Sequence, residues 1–124
     1  LVKVYKIKPL YVGYDRYSAQ YLIQDMKEAG FHMDDVYQGT NLTPCLHEFE
    51  ADLKSDVYEI GDNALLQSHL LNVAVDININ DSRMKPVKID KRLHIDGAVS
   101  IFDAIAVRQK YHKEIGLLLQ NKRL

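Results

Sequence analysis

Lys88-Ile89-Asp90-Lys91-Arg92-Leu93-His94-Ile95-Asp96-Gly97-Ala98-Val99 is a charged, hairpin-like approach that runs into an acid at the mouth of a helix. Beyond it Ile95, Ala98, Val99, Phe102, Ile105 and Ala106 recur at three- and four-residue intervals, so one face of that helix is expected to pack into a core. Asp96 opens the adjoining stripe, with Ser100 and Asp103 following at the same helical phase. A rise of about 1.5 Å per residue sets the carboxylates of Asp96 and Asp103 roughly 10 Å apart along the axis. That is too far to share one metal ion directly. A chemical partner for Asp96 therefore has to come from elsewhere in the chain.

The chain has 124 residues, 47% of them hydrophobic, enough to bury a core and most simply organised as one domain spanning residues 1–124. Its formal charge is -1, with 16 basic against 17 acidic side chains, so it carries no global electrostatic signature of a DNA-coating protein and leaves room only for local basic patches. The lone cysteine, Cys45, excludes an internal disulfide and a cysteine cluster for zinc, and a reducing compartment fits best. No apolar run approaches the roughly 20 residues that span a bilayer, and the N-terminus lacks a signal-peptide layout; a soluble intracellular protein is expected. The opening Leu1-Val2-Lys3-Val4-Tyr5-Lys6 has no initiator methionine and reads as the middle of a structured element, which suggests an excised piece of a longer polypeptide.

In chain order, Pro9 stops any helix from the first residues. Leu10 to Tyr14 read as a short buried strand ending at Asp15. A helix from about Tyr17 to Ala29 is expected to bury Tyr21, Leu22 and Met26 and to stop at Gly30. Asp35 to Gln38 form a second strand closed by Gly39. In Asn41-Leu42-Thr43-Pro44, Thr43 is a suitable cap and Pro44 suits the first helical position of a helix whose Leu46, Phe49 and Leu53 share a face. A short strand follows at Val57 to Ile60, then the turn Gly61-Asp62-Asn63 and a helix of one to two turns through Leu65, Leu66 and Leu70. From Asn72 to Asn80 the chain alternates, with Val73, Val75, Ile77 and Ile79 on one side, as a half-buried strand does. Asn80-Asp81-Ser82 is turn chemistry, Pro86 to Asp90 return as the second strand of a hairpin, and the closing helix runs from about Ile95 to Lys110, extending past Gly116 as a tail that ends Gln120-Asn121-Lys122-Arg123.

Asp15 stands just past the C-terminal end of a buried strand, where open α/β sheets hold ligands and catalytic groups. As a plain structural residue it would cap the next helix, and Asp96 before Gly-Ala has the same double reading. If the two lie near one another, they are the minimum for holding Mg²⁺ or Mn²⁺, hard cations that take oxygen ligands. Lys88 can meet a phosphate or steady a carboxylate, or simply be a solvated hairpin lysine. His94 can point toward the same site or stand at the surface. Asp34-Asp35 reads as turn chemistry, with Asp35 entering the strand. His32, His47, His69 and His112 have no zinc-ligand spacing, Cys45 has no base beside it, and there is no Gly-rich phosphate loop or Walker-type lysine for an ATPase. The eight tyrosines, dense between Tyr5 and Tyr21, are explained mostly by packing, with base stacking as the functional reading.

Val12-Gly13-Tyr14-Asp15-Arg16-Tyr17-Ser18-Ala19, then Val36-Tyr37-Gln38-Gly39, the Gly61-Asp62-Asn63 turn with Asn72 after it, and Lys88 followed by Ile95-Asp96-Gly97-Ala98-Val99 occur in an order that resembles the C-terminal nuclease domain of tailed-phage terminase large subunits. The resemblance spans roughly Leu10 to Arg108. It implies an α/β, ribonuclease-H-like fold, a mixed sheet with flanking helices and a β-hairpin before the last helix. It also implies a divalent-metal-dependent endonuclease, with a two-metal Mg²⁺ or Mn²⁺ site, that cuts concatemeric double-stranded viral DNA during packaging. Asp15 matches the family's acid at the end of a central strand, Asp96 the acid on the final helix, and Lys88 a basic position upstream of it. The family's first metal-binding acid, on an opening strand, has no counterpart here, so the fragment is expected to hold an incomplete, inactive site. Gly61-Asp62-Asn63-Ala64 also departs from the family's Gly-Asn-Pro turn. Further implied are a preceding ATPase domain that uses ATP, a terminase small subunit and a portal protein as partners, no membrane association, and the cytoplasm of an infected or lysogenic host. The competing reading from another class is a non-catalytic α/β interaction or nucleic-acid-binding module whose acids are helix caps lying far apart.

Overall fold

The structure is a computed structural model that describes residues 2–17 and 20–121. After a four-residue exposed helix, α1 (Val2–Tyr5), strand β1 (Val12–Asp15) pairs in parallel with β2 (Met33–Val36), Val12 opposite Met33 and Asp15 opposite Val36. Parallel neighbours need a crossover, and α2 (Gln20–Glu28) supplies it. Gly30, at φ +95°, ends that helix as expected: its N–H donates to the Lys27 carbonyl while the Phe31 N–H reaches back to Met26. The expected buried face of α2 is wrong. Ile23 is its buried residue, three positions before half-buried Met26, and this narrow stripe alone meets the sheet, leaving Tyr21 90% exposed and Leu22 exposed. Tyr5 and Tyr17 are exposed as well, whereas Tyr11 packs against the core and stacks on Tyr111, so packing accounts for only some of the N-terminal tyrosines. Ser18 and Ala19, and Lys122 and Arg123 of the tail, lie outside the described residues.

Strand β2 lies two residues earlier than its expected position, and a 3₁₀ turn (Gly39–Leu42) leads from it into α3 (Thr43–Lys54). Leu42, not Thr43, holds the N-cap position; Thr43 is the first helical residue, with Pro44 in the first turn. The Thr43 hydroxyl donates to the Thr40 carbonyl at 2.6 Å and accepts the Met84 N–H at 3.0 Å. Residues 57–60 form no strand. Tyr58 there packs on Phe49 and reaches Asp52, and the segment links irregularly to α4 (Ala64–Leu71), whose cap is Asn63 accepting the Leu66 N–H.

Strand β3 (Val73–Ile77) and β4 (Met84–Lys88) form the expected antiparallel hairpin, Val73 opposite Lys88 and Ile77 opposite Met84. β3 is shorter than its alternating pattern, because the Asn78 side chain takes the Asn80 N–H and its carbonyl takes the Ser82 N–H, so the chain already turns there. Its apolar face is not half-buried throughout: Val73 is partly covered, Val75 and Ile77 are exposed, and Ile79 is 96% exposed. The two strand pairs are separate two-stranded sheets among the described residues, not one mixed sheet. The 3₁₀ turn and Thr43 satisfy the start of β4, where Arg83 also donates to the Thr40 carbonyl, so side chains and a turn stand where a neighbouring strand would.

Helix α5 (Asp96–Lys110) is the hub, touching β1, β2, α3 and α4; Tyr111 interrupts it before α6 (His112–Asn121). Ile95, Ala98, Phe102 and Ile105 are buried as the periodicity requires, with Val107 added, and all but Ile95 join Val36, Leu42, Cys45, Leu46 and Met84 in one core cluster. No helix among the described residues is long and apolar enough to cross a membrane.

Candidate active site

Asp15 closes β1, and Asp96 is the first residue of α5. Both border one open cleft of ≈ 510 Å³, completed by Tyr14, Gln38 and Gly39 beyond the two parallel strands, Pro86 of β4, and Val99, Ser100 and Asp103 of α5. Two acids on separate elements thus face the same space because β1 lies directly against α5. Gly13 makes that approach possible: a Cβ at this position would stand 2.7 Å from the Asp103 carbonyl oxygen and 2.7 Å from Val107 Cγ2. Side chains two apart on a strand share a face, so Asp15 projects from the same side of β1 that meets α5.

Asp96 is not the cap of α5. The Asp15 carboxylate accepts the Tyr17 N–H at 3.1 Å, closing a turn ahead of α2. At α5 the cap position belongs to Ile95, which makes no side-chain capping bond. Asp96 is 88% exposed, with His94 Nδ1 3.8 Å from its carboxylate.

Asp103 is the acid that periodicity alone undervalues. Two turns along α5 from Asp96, it is 6% exposed, lines the same cleft and accepts a 2.8 Å hydrogen bond from Gln38 Nε2. Burial pushes its pKa up; the Gln38 bond opposes that rise, and the charge of Asp15 adds to it. Ser100 donates its hydroxyl to the Gly97 carbonyl at 2.7 Å.

Lys88 ends β4 opposite Val73 and is exposed; it does not border the cleft, although Pro86, on the same strand face two residues earlier, does. Asp35 lies in β2 as expected; Asp34 is not a turn residue but lies in the same strand, and it pairs with Lys110 at 2.9 Å. Cys45, on α3, is buried against α5, and burial raises its thiol pKa, with Glu48 adding to the effect.

The donors in the cleft are hard carboxylate oxygens, the class that Mg²⁺ and Mn²⁺ take. Among the described residues no three His, Cys, Asp or Glu side chains converge closely enough to cage an ion. Mg²⁺ commonly uses one or two carboxylates and fills its other positions with water and phosphate oxygens. Asp15 and Asp96 are the residues that would hold it.

A family model described as terminase large subunit, endonuclease domain, matches residues 4–112. No curated protein and no solved structure matches the chain.

Proposed function

The chain belongs to the terminase large subunit endonuclease domain family, and from that premise we propose that it is part of a divalent-metal-dependent nuclease acting on concatemeric double-stranded viral DNA. The observation that supports this reading is the meeting of Asp15 and Asp96, from a strand end and a helix start far apart in sequence, at the border of one cleft. The fold it belongs to is then the C-terminal portion of a ribonuclease-H-like domain, with β1, β2 and α5 carrying the chemistry.

In this reading Asp15 and Asp96 hold Mg²⁺ or Mn²⁺ on rigid elements. When bound, such ions lower the pKa of water and stabilise the oxygen that leaves in phosphodiester hydrolysis. Asp15 is oriented by its turn to Tyr17, and Gly13 keeps its strand against α5. Asp103 lines the floor of the cleft with Gln38 donating to it, and its burial raises its pKa. Lys88, on the outer strand of the approach, meets the DNA phosphate or steadies an acid. The 124-residue chain by itself binds cations weakly, because two carboxylates supply little charge for a two-metal site. The ATPase domain, small subunit and portal protein of the packaging machine are the partners that follow.

The test uses the polypeptide in which this domain is joined to its packaging ATPase. Asp15→Ala and Asp96→Ala are each expected to abolish Mg²⁺- or Mn²⁺-dependent DNA cleavage while leaving ATP hydrolysis largely intact. Cleavage retained in both variants would overturn the assignment.

A further inference from the structure

We infer that the C-terminal turn of α4 sets the position of Asp96, with His69 as a positioning residue and Asn72 as a second hold. The inference rests on the metal-cleft reading. His69 Nδ1 accepts the N–H of Gly97, the second residue of α5, at 2.8 Å. The first N–H groups of a helix have no acceptor within it, and at α5 the residue in the cap position, Ile95, offers none from its side chain. A histidine from another helix supplies one instead. A ring nitrogen that accepts a hydrogen bond carries no proton, so His69 is the tautomer protonated at Nε2.

Gly97 is shaped for this contact: a Cβ there would lie 3.0 Å from His69 Nδ1 and 3.1 Å from Leu66 Cδ1. One turn further along, Asn72 grips the same segment twice. Its carbonyl accepts the Ile89 N–H at 2.9 Å, and its Nδ2 donates to the His94 carbonyl at 2.9 Å. The backbone is therefore held before, within and after the loop that ends at Asp96, at Ile89, His94 and Gly97. The Asp96 carboxylate is exposed, so where it stands depends on where this backbone is held. A group that orients a metal ligand from behind commonly matters about 10–100-fold in affinity or activity.

The test follows ¹⁵N-labelled chain as Mn²⁺ is added, since paramagnetic broadening registers weak binding. In the wild-type chain broadening is expected on both walls of the cleft, at the Arg16 and Tyr17 amides beside Asp15 and at the Ala98 and Val99 amides after Asp96. His69→Leu is expected to keep the first and to reduce the second about ten-fold. Asn72→Ala should reduce it less, and His69→Asn, whose Oδ1 takes the place of Nδ1, should restore it. Unchanged broadening at Ala98 and Val99 in His69→Leu overturns the inference and leaves the metal reading standing. Absence of broadening on both walls of the wild-type chain overturns the metal reading and this inference with it. Should His69→Leu fail to fold, His69→Asn decides, because loss of the Ala98 and Val99 signal despite a retained acceptor overturns the role. A two-bond ¹⁵N–¹⁵N coupling between Gly97 and His69 Nδ1 is expected in the wild-type chain, and its absence overturns the inference without any substitution.

Discussion

Asp103 loses water on folding, which raises its pKa; the Gln38 amide opposes the rise, and the negative charge of Asp15 reinforces it. The folded state therefore holds this proton more tightly than the unfolded chain does. The stability linked to it is fully present below the ordinary value of 3.8 and is lost as pH rises through the raised folded value. Asp103→Asn keeps an acceptor for Gln38 and cannot ionise, so it is expected to melt at a higher temperature than the wild type at neutral pH, with the difference vanishing in acid; thermal melts across pH check this. Cys45 invites a simpler measurement. Its buried thiol, with pKa raised by desolvation, is expected to resist alkylation in the native chain and to react fully once denatured. At this scale Asp15 and Asp96 are legible from residue type and position, as acids at a strand end and a helix start. His69 is not, because the amide it serves lies in another element and leaves no local spacing to read.

Between elements, the contact of β1 with α5 is decided by one missing side chain. A methyl group at Gly13 would overlap the Asp103 carbonyl and the Val107 side chain. Gly13→Ala should therefore cost about 1–3 kcal/mol, as overpacking typically does, read as a lower denaturant midpoint. It should also weaken whatever Asp15 and Asp96 do jointly, since it moves one wall of the cleft from the other. The closing helix was legible almost to the residue, expected from about Ile95 to Lys110 and found from Asp96 to Lys110, because its apolar periodicity is sustained and its face is buried on several sides. The alternation from Asn72 to Asn80 was legible as a strand yet overestimated in length and burial. Period two says which residues share a face, but not whether anything covers that face. Residues 57–60 failed as a strand for a related reason: Tyr58 turns its ring to Phe49, and among the described residues no strand pairs with the segment.

Across the whole molecule, the β1–β2 pair packs on α5, the β3–β4 hairpin packs on the 3₁₀ turn and α3, and one shared core joins them. Phe102 of α5, 1% exposed, meets the edge of Phe49 and sits in a core shared by β2, α3 and β4. Phe102→Ala is accordingly expected to cost about 3–5 kcal/mol. Because the core is shared, far-UV circular dichroism and tyrosine fluorescence should report the same midpoint for wild type and variant; two separated transitions would show that the sheets unfold independently. Arg108 and Lys110 extend the same helix outward, pairing with Glu48 and Asp34 at 2.9 Å each and tying α3 and β2 to it. By itself the sequence determined the α/β class, the order of most elements, the hub helix and the two acids that begin the chemical argument, since these follow from local periodicity, caps and residue type. Only the tertiary structure decided that Asp15, Asp96 and Asp103 border one cleft, that the strands form two sheets, and that His69 and Asn72 hold the approach to Asp96. Those depend on which surfaces meet when water is expelled, and such meetings join residues too distant along the chain for any local pattern to record.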